Sequence, residues 1–217
     1  MNRIITALLL AVTGCYYGSM TGARTLGEKH MTVTASVGLP AYLSADDRRE
    51  AGESSTDDVP VSPSVTFLSG VTDRIDIGAY ARAWGIGPLI RVGLLSPDLP
   101  YSVSINAGAG YIVPAKLLST RFGLTAGYSV GESLEIYGGC SGGYSPDVIN
   151  IPEDGDGNRN WNEVENKYHY GFNAGVRYTL PPPEEDQLWI PEAVGFEFAI
   201  PMDLSRDIVL FGLAVTY

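Results

Sequence analysis

Period-two alternation of apolar and polar residues runs through most of the chain. From Met31 to Leu39, Met31, Val33, Ala35, Val37 and Leu39 share one phase, and Thr32, Thr34, Ser36 and Gly38 the other. Tyr101 to Val113 repeats the pattern with Tyr101, Val103, Ile105, Ala107, Ala109, Tyr111 and Val113. Tyr168 to Leu180 does so again, and Val209, Phe211, Leu213, Val215 and Tyr217 carry it to the last residue. Successive side chains of a strand point to opposite faces, so each run predicts a strand with one apolar and one polar face. Ten runs stand out: 29–39, 61–71, 74–86, 89–96, 100–113, 119–129, 133–145, 168–180, 192–201 and 207–217. Most reach the roughly 9–11 residues of a tilted membrane strand; 89–96 is the weakest. No segment after residue 20 has a helical period.

The connections alternate in length. After odd-numbered runs come the two longest, near 40–60 and 146–167, both acidic and rich in Asp, Glu, Gly and Asn. After even-numbered runs come tight turns at Thr72-Asp73-Arg74, Ser96-Pro97-Asp98 and Gly131-Glu132; the Pro181–Asp186 link is a longer exception. An even strand count, long loops on one side and short turns on the other suit a closed, up-and-down antiparallel barrel. Glycine supplies 26 of 217 residues, with 13 tyrosines beside it, a mixture found in short alternating barrel strands.

Both membrane barrels and soluble lipocalin-like barrels alternate, so the content of the polar phase separates them. Here it holds Gly, Ser and Thr with isolated charges: Asp76, Arg82, Arg91, Arg121, Glu135, Arg177 and Glu197. A water-facing sheet carries more charge than this, whereas a narrow lumen needs small residues and mutually neutralising ions. These seven residues are therefore expected to form an internal network, with scattered surface ion pairs of little energetic consequence as the alternative. Tyr101, Tyr111, Trp84, Tyr128, Tyr168, Tyr178 and Trp189 lie near run ends, where interfacial aromatic girdles form. The net charge of -11 disfavours a nucleic-acid partner.

The amino terminus is different in kind. Met1-Asn2-Arg3 is followed by an apolar run from Ile4 to Val12, too short to span a bilayer as a helix and of the length of a signal peptide. It ends in Val12-Thr13-Gly14-Cys15, which resembles the bacterial lipobox. The resemblance implies cleavage before Cys15, diacylglycerol on its sulfur and acylation of the new amino terminus. It divides the chain into a signal peptide (1–14), a lipidated linker (15–28) and the barrel (29–217). Two or more acyl chains suffice for lasting attachment. With Cys15 acylated, Cys140 is the one remaining thiol, so an intrachain disulfide is excluded. The C-terminal strand ending on Tyr217 resembles that of small Gram-negative outer-membrane barrels, which places both termini in the periplasm and outer-membrane lipid against Cys15 and the barrel exterior.

One loop carries a ligand pattern. Asp154-Gly155-Asp156-Gly157-Asn158-Arg159-Asn160-Trp161-Asn162-Glu163-Val164-Glu165 resembles an EF-hand calcium loop, with Asp154, Asp156, Asn158, Asn160 and Glu165 as its candidate oxygen ligands. Arg159 stands where that pattern has its turn glycine, and the flanks read as strands; a solvated acidic loop is the alternative. Catalysis has little support: His30 and His169 are the histidines, and no serine neighbouring His169 presents a nucleophile. No cofactor is required by any motif. The sequence thus leads to a structural or surface-interaction barrel of the outer membrane with an unidentified surface partner. A narrow channel and a soluble, lipid-tethered periplasmic carrier are the alternatives, and an outer-membrane enzyme stands last.

Overall fold

Each alternating run becomes a strand, and each strand pairs antiparallel with its neighbours in sequence. The computed structural model describes residues 20–43, 62–82, 85–113, 115–146, 160–181, 190–202 and 208–217. Its ten strands among these residues are β1 (Met31–Leu43), β2 (Ser62–Thr72), β3 (Ile75–Arg82), β4 (Gly85–Gly93) and β5 (Tyr101–Ile112), then β6 (Leu117–Val130), β7 (Leu134–Pro146), β8 (Asn166–Thr179), β9 (Ala193–Pro201) and β10 (Ile208–Thr216). β1 pairs with β10 and closes an up-and-down barrel. Closure leaves no open edge, so the wall's backbone groups are satisfied from within.

Two boundaries differ from those expected. The β3–β4 turn lies between Arg82 and Gly85, which pair in register, and not after residue 86. Gly87 and Pro88, left between the two expected runs, lie inside β4 together with Gly85. Gly85 and Gly87 face inward and Pro88 outward. Proline has no amide to give the ladder, and the β4–β5 pairing skips from Ile86↔Tyr111 to Leu89↔Gly108 around it. β1 also runs past residue 39 to Leu43, with an irregularity opposite β10 between Pro40 and Tyr42.

The wall is apolar outside and polar inside. Ile77, Ile105, Phe122, Leu124, Phe172 and Phe198 are exposed on the outer face. Thr34, Ser104, Thr125, Glu135, Asn173 and Glu197 are buried on the inner one. Tyrosines mark both ends of the outer face. At the end that carries Tyr217 and the start of β1 (the near end), Tyr101 and Tyr128 are register partners with ring centroids 5.0 Å apart, and Tyr178 is exposed on β8 nearby. At the far end, Tyr144 and Tyr168 are partners with centroids 4.8 Å apart, accompanied by exposed Tyr111 and Tyr170. Tyr101 and Tyr111 delimit one strand and Tyr168 and Tyr178 another. At about 3.3 Å per residue and a tilt of about 40°, either interval spans roughly 25 Å of barrel height. Trp84 and Trp189 lie outside the described residues.

Candidate functional site: the barrel interior and its N-terminal insert

All seven charged residues expected in the lumen lie on inner-face positions. Asp76 and Glu197 are fully buried, Arg91 and Glu135 nearly so, and Arg82, Arg121 and Arg177 half-buried. Asp76 and Arg91 form a buried ion pair, Nε to Oδ2 at 2.7 Å, between register partners on β3 and β4. Glu135 faces Arg177 in register across β7 and β8. Arg82 and Arg121 approach the Tyr80 ring, 5.8 and 5.1 Å from its centroid, in the far half of the barrel. The Tyr137 hydroxyl donates to Glu197.

The acids have a second set of partners that alternation alone did not reveal. Residues 20–27, expected as part of a linker, pass through the near half of the lumen. The Met20 amide donates to Glu197 Oε2 at 3.1 Å. The amides of Ala23 and Arg24 both donate to Glu135 Oε1, at 3.1 and 3.2 Å, and Ser102 Oγ donates to the same oxygen. The Leu26 amide donates to Asp76 Oδ1 at 3.1 Å. Arg91, already bound to Asp76, donates through Nη1 to the Thr21 carbonyl at 3.2 Å. Three wall carboxylates thus hold four backbone amides of one segment. Hydrogen bonds to a charged acceptor are stronger than neutral ones, typically worth about 1.5–3 kcal/mol.

Apolar contacts hold the same segment on two parts of the wall. Met20 packs with Ala199, Leu210 and Ala214, and Leu26 against Leu68, Tyr80 and Leu89. At the near rim the Arg24 guanidinium donates to the carbonyls of Pro97 and Leu99, at 2.9 and 2.8 Å, and to Ser129 Oγ at 3.1 Å. Thr25 Oγ1 donates to the Asp73 carbonyl at 2.9 Å. The segment needs small residues where it meets the wall. Gly22 has φ +70°, in the left-handed region, and a side chain there would run into Glu135 Oε2. Gly70 of β2 lies so close to Gly27 that a side chain would strike the Gly27 carbonyl.

The remaining candidates are placed less fully. Asp154, Asp156 and Asn158 lie outside the described residues, as does Cys15. The Asn160 side chain accepts from the Asn162 amide at 3.2 Å and caps a short 3-10 turn, Trp161–Glu163; Glu165 is exposed. His169 is buried on the inner face, its Nε2 3.3 Å from the Ser145 carbonyl. Cys140 is exposed on the outer face between Leu124 and Phe172. Among the described residues no cluster of three or more His, Cys, Asp or Glu is arranged to hold a metal ion.

The arrangement holds the chain's own residues 20–27 against the inner wall, through backbone groups that leave little trace in sequence. The small residues of Thr21-Gly22-Ala23 are the one signal that fits this role. No protein-family model matches the chain, and no curated protein matches it.

Proposed function

We propose that the protein is an outer-membrane β-barrel lipoprotein with a structural or surface-interaction role. The observation that carries this reading is the polarity of the wall. A continuous apolar exterior with tyrosines at both ends and a charged interior is the reverse of a barrel that carries an apolar ligand through water. Exposed apolar area on this scale marks a membrane or partner surface, and a closed barrel is one of the two architectures that satisfy their backbone in lipid. A height of about 25 Å between tyrosine levels matches the apolar band of such barrels.

Orientation follows from the connections: long acidic ones belong outside and short turns in the periplasm. The far end is then the cell surface and the near end, with Tyr217, the periplasmic side. Val12-Thr13-Gly14-Cys15 supplies the lipid attachment. The insert of residues 20–27 speaks against a narrow channel as the main role, because it lays the chain's own residues across the near half of the lumen. The reading needs neither a catalytic step nor a cofactor. Calcium at Asp154–Glu165 rests on its ligand spacing, and a calcium-dependent change in protease cleavage within that loop is its test.

The experiment for the main reading is gel mobility of the mature protein in detergent, with and without boiling, beside extraction of membranes at high pH. A shift on boiling and retention after the wash are expected. A protein released by the wash and unshifted on boiling would be a soluble, tethered barrel.

A further inference from the structure

The far half of the lumen has its own charge and its own support. Around the insert the inner wall carries both signs, in Asp76, Glu135 and Glu197 with Arg91 and Arg177. On the far side of Glu197 the charged inner-face residues, among those described, are Arg82 and Arg121, with Lys167 at the start of β8. Both arginines meet at Tyr80. Tyr80 points inward from β3 opposite Gly87 of β4, and its ring reaches across β4 to β5. A side chain on Gly108 would come 3.2 Å from Tyr80 Cε1 and 3.1 Å from Arg121 Cγ, and one on Gly110 would run into the Tyr80 hydroxyl. Two glycines of β5 thus let Tyr80 and Arg121 lie directly on the wall. The ring is 6% exposed and clusters with Leu68 and Leu89, against which Leu26 of the insert packs. It is a fixed platform.

We propose that Arg82 and Arg121, propped on Tyr80, bind an oxyanion: a phosphate or sulfate group, free or carried on a larger molecule. Their guanidinium carbons lie 5.8 and 5.1 Å from the centroid of that one ring. The ring's quadrupole holds Arg121 without supplying an oxygen acceptor, so its forked N–H donors remain for a planar or tetrahedral anion. Among the described residues Arg121 has no carboxylate at ion-pair distance. Glu197 acts on it electrostatically but already accepts the Met20 amide and the Tyr137 hydroxyl. The ladder partners of Arg121 are Gly108 and Gly143, and those of Arg82 are Ser64 and Gly85, all uncharged. Two like charges on one platform repel each other. An oxyanion between them replaces that repulsion with attraction and takes charge-assisted hydrogen bonds from both. Ser119 adds a hydroxyl beside that of Tyr80, both of them over Gly110. The site lies inside the closed barrel, so it stands whether the exterior meets lipid or water.

Isothermal titration of the folded protein in detergent with inorganic phosphate, at ionic strength held constant with sodium chloride, tests the site. Saturable binding is expected in the parent. Arg121→Gln should weaken it about tenfold or more, the loss of one charge-assisted contact. Arg121→Lys keeps the charge but not the planar fork, and should fall between the two. Arg74→Gln removes a charge from the exposed near turn and should bind as the parent does. The strand signal in circular dichroism reports that each variant is folded. No saturable binding in the parent, unchanged binding in Arg121→Gln, or equal weakening in Arg121→Gln and Arg74→Gln would each overturn the proposal. Where phosphate binds as expected, competition identifies its source. Displacement by glucose 6-phosphate marks a soluble phosphate ester, displacement by dihexanoyl phosphatidic acid a lipid headgroup, and displacement by neither the free ion; all three uphold the site.

Discussion

Glu135 holds Ala23 by a hydrogen bond from the Ala23 amide to Oε1 at 3.1 Å, and the Arg24 amide binds the same oxygen. Two consecutive N–H groups on one carboxylate oxygen make Glu135 the principal anchor of the insert. Glu135→Ala would leave both without that acceptor, at about 1–3 kcal/mol for each amide that stays buried and unpaired. The insert is expected to loosen while the wall persists. Limited proteolysis of the folded protein should then cut within residues 20–27, and planar bilayers should show conductance that the parent lacks. An unchanged cleavage pattern and a silent bilayer would show that the other anchors suffice.

Gly22→Ala makes the same point without removing an acid. The added methyl meets Glu135 Oε2, and φ +70° is strained for any residue with a Cβ. Gly131 supplies the control, with φ +66° and open space around its missing side chain. Left-handed strain alone costs roughly 1–2 kcal/mol, so Gly22→Ala and Gly131→Ala should each lose at least about that much unfolding free energy in urea titration. Gly22→Ala alone should increase cleavage of residues 20–27. Equal cleavage in the two would mean that the contact with Glu135 is not felt.

The Asp76–Arg91 pair lends itself to a double-mutant cycle. Both side chains are buried, 0% and 3% exposed, and each also holds the insert, Asp76 through Leu26 and Arg91 through Thr21. Removing one charge strands the other, which typically costs about 3–5 kcal/mol. Asp76→Asn and Arg91→Gln should each depress the urea midpoint strongly, and the double variant should lose less than the sum. Strict additivity would indicate that solvent reaches the pair and screens it.

The barrel was legible in the sequence because its signal is local and repeated. Inward Thr34 and Asn173 and outward Ile105 and Phe172 follow directly from period two. The β3–β4 turn was misplaced because Gly87 and Pro88 have turn composition while serving as strand residues. There, the β5 backbone comes so close to Gly87 that a side chain would strike the Ala109 carbonyl, and the ladder passes over the two pairs at Gly87 and Pro88; these tertiary constraints outweigh propensity. The charged residues of the polar phase take inner-face positions, and the sequence alone sets Asp76, Glu135 and Glu197 against arginines only. In the structure these acids also bind the amides of Met20, Ala23, Arg24 and Leu26. Amides are the same in every residue, so no pattern of side chains announces them.

The outer face offers the sharpest division between the membrane reading and its soluble rival. Leu124 sits near mid-height on β6, exposed, with Ile105 and Cys140 as register partners. In a bilayer, Leu124→Arg brings a guanidinium to hydrocarbon depth, at about 2–4 kcal/mol near the midplane. In a water-facing wall the same change is neutral within about 0.5 kcal/mol, as surface substitutions usually are. Folding into lipid vesicles, followed by urea titration, measures the difference directly. Tyr128→Arg, at the near tyrosine level, is the depth control and should cost about 0–1 kcal/mol in charge burial because interfacial arginine reaches water. A large loss at Leu124 with a small one at Tyr128 maps the apolar band onto the bilayer. Two small losses would mean that this exterior faces water or a protein partner instead.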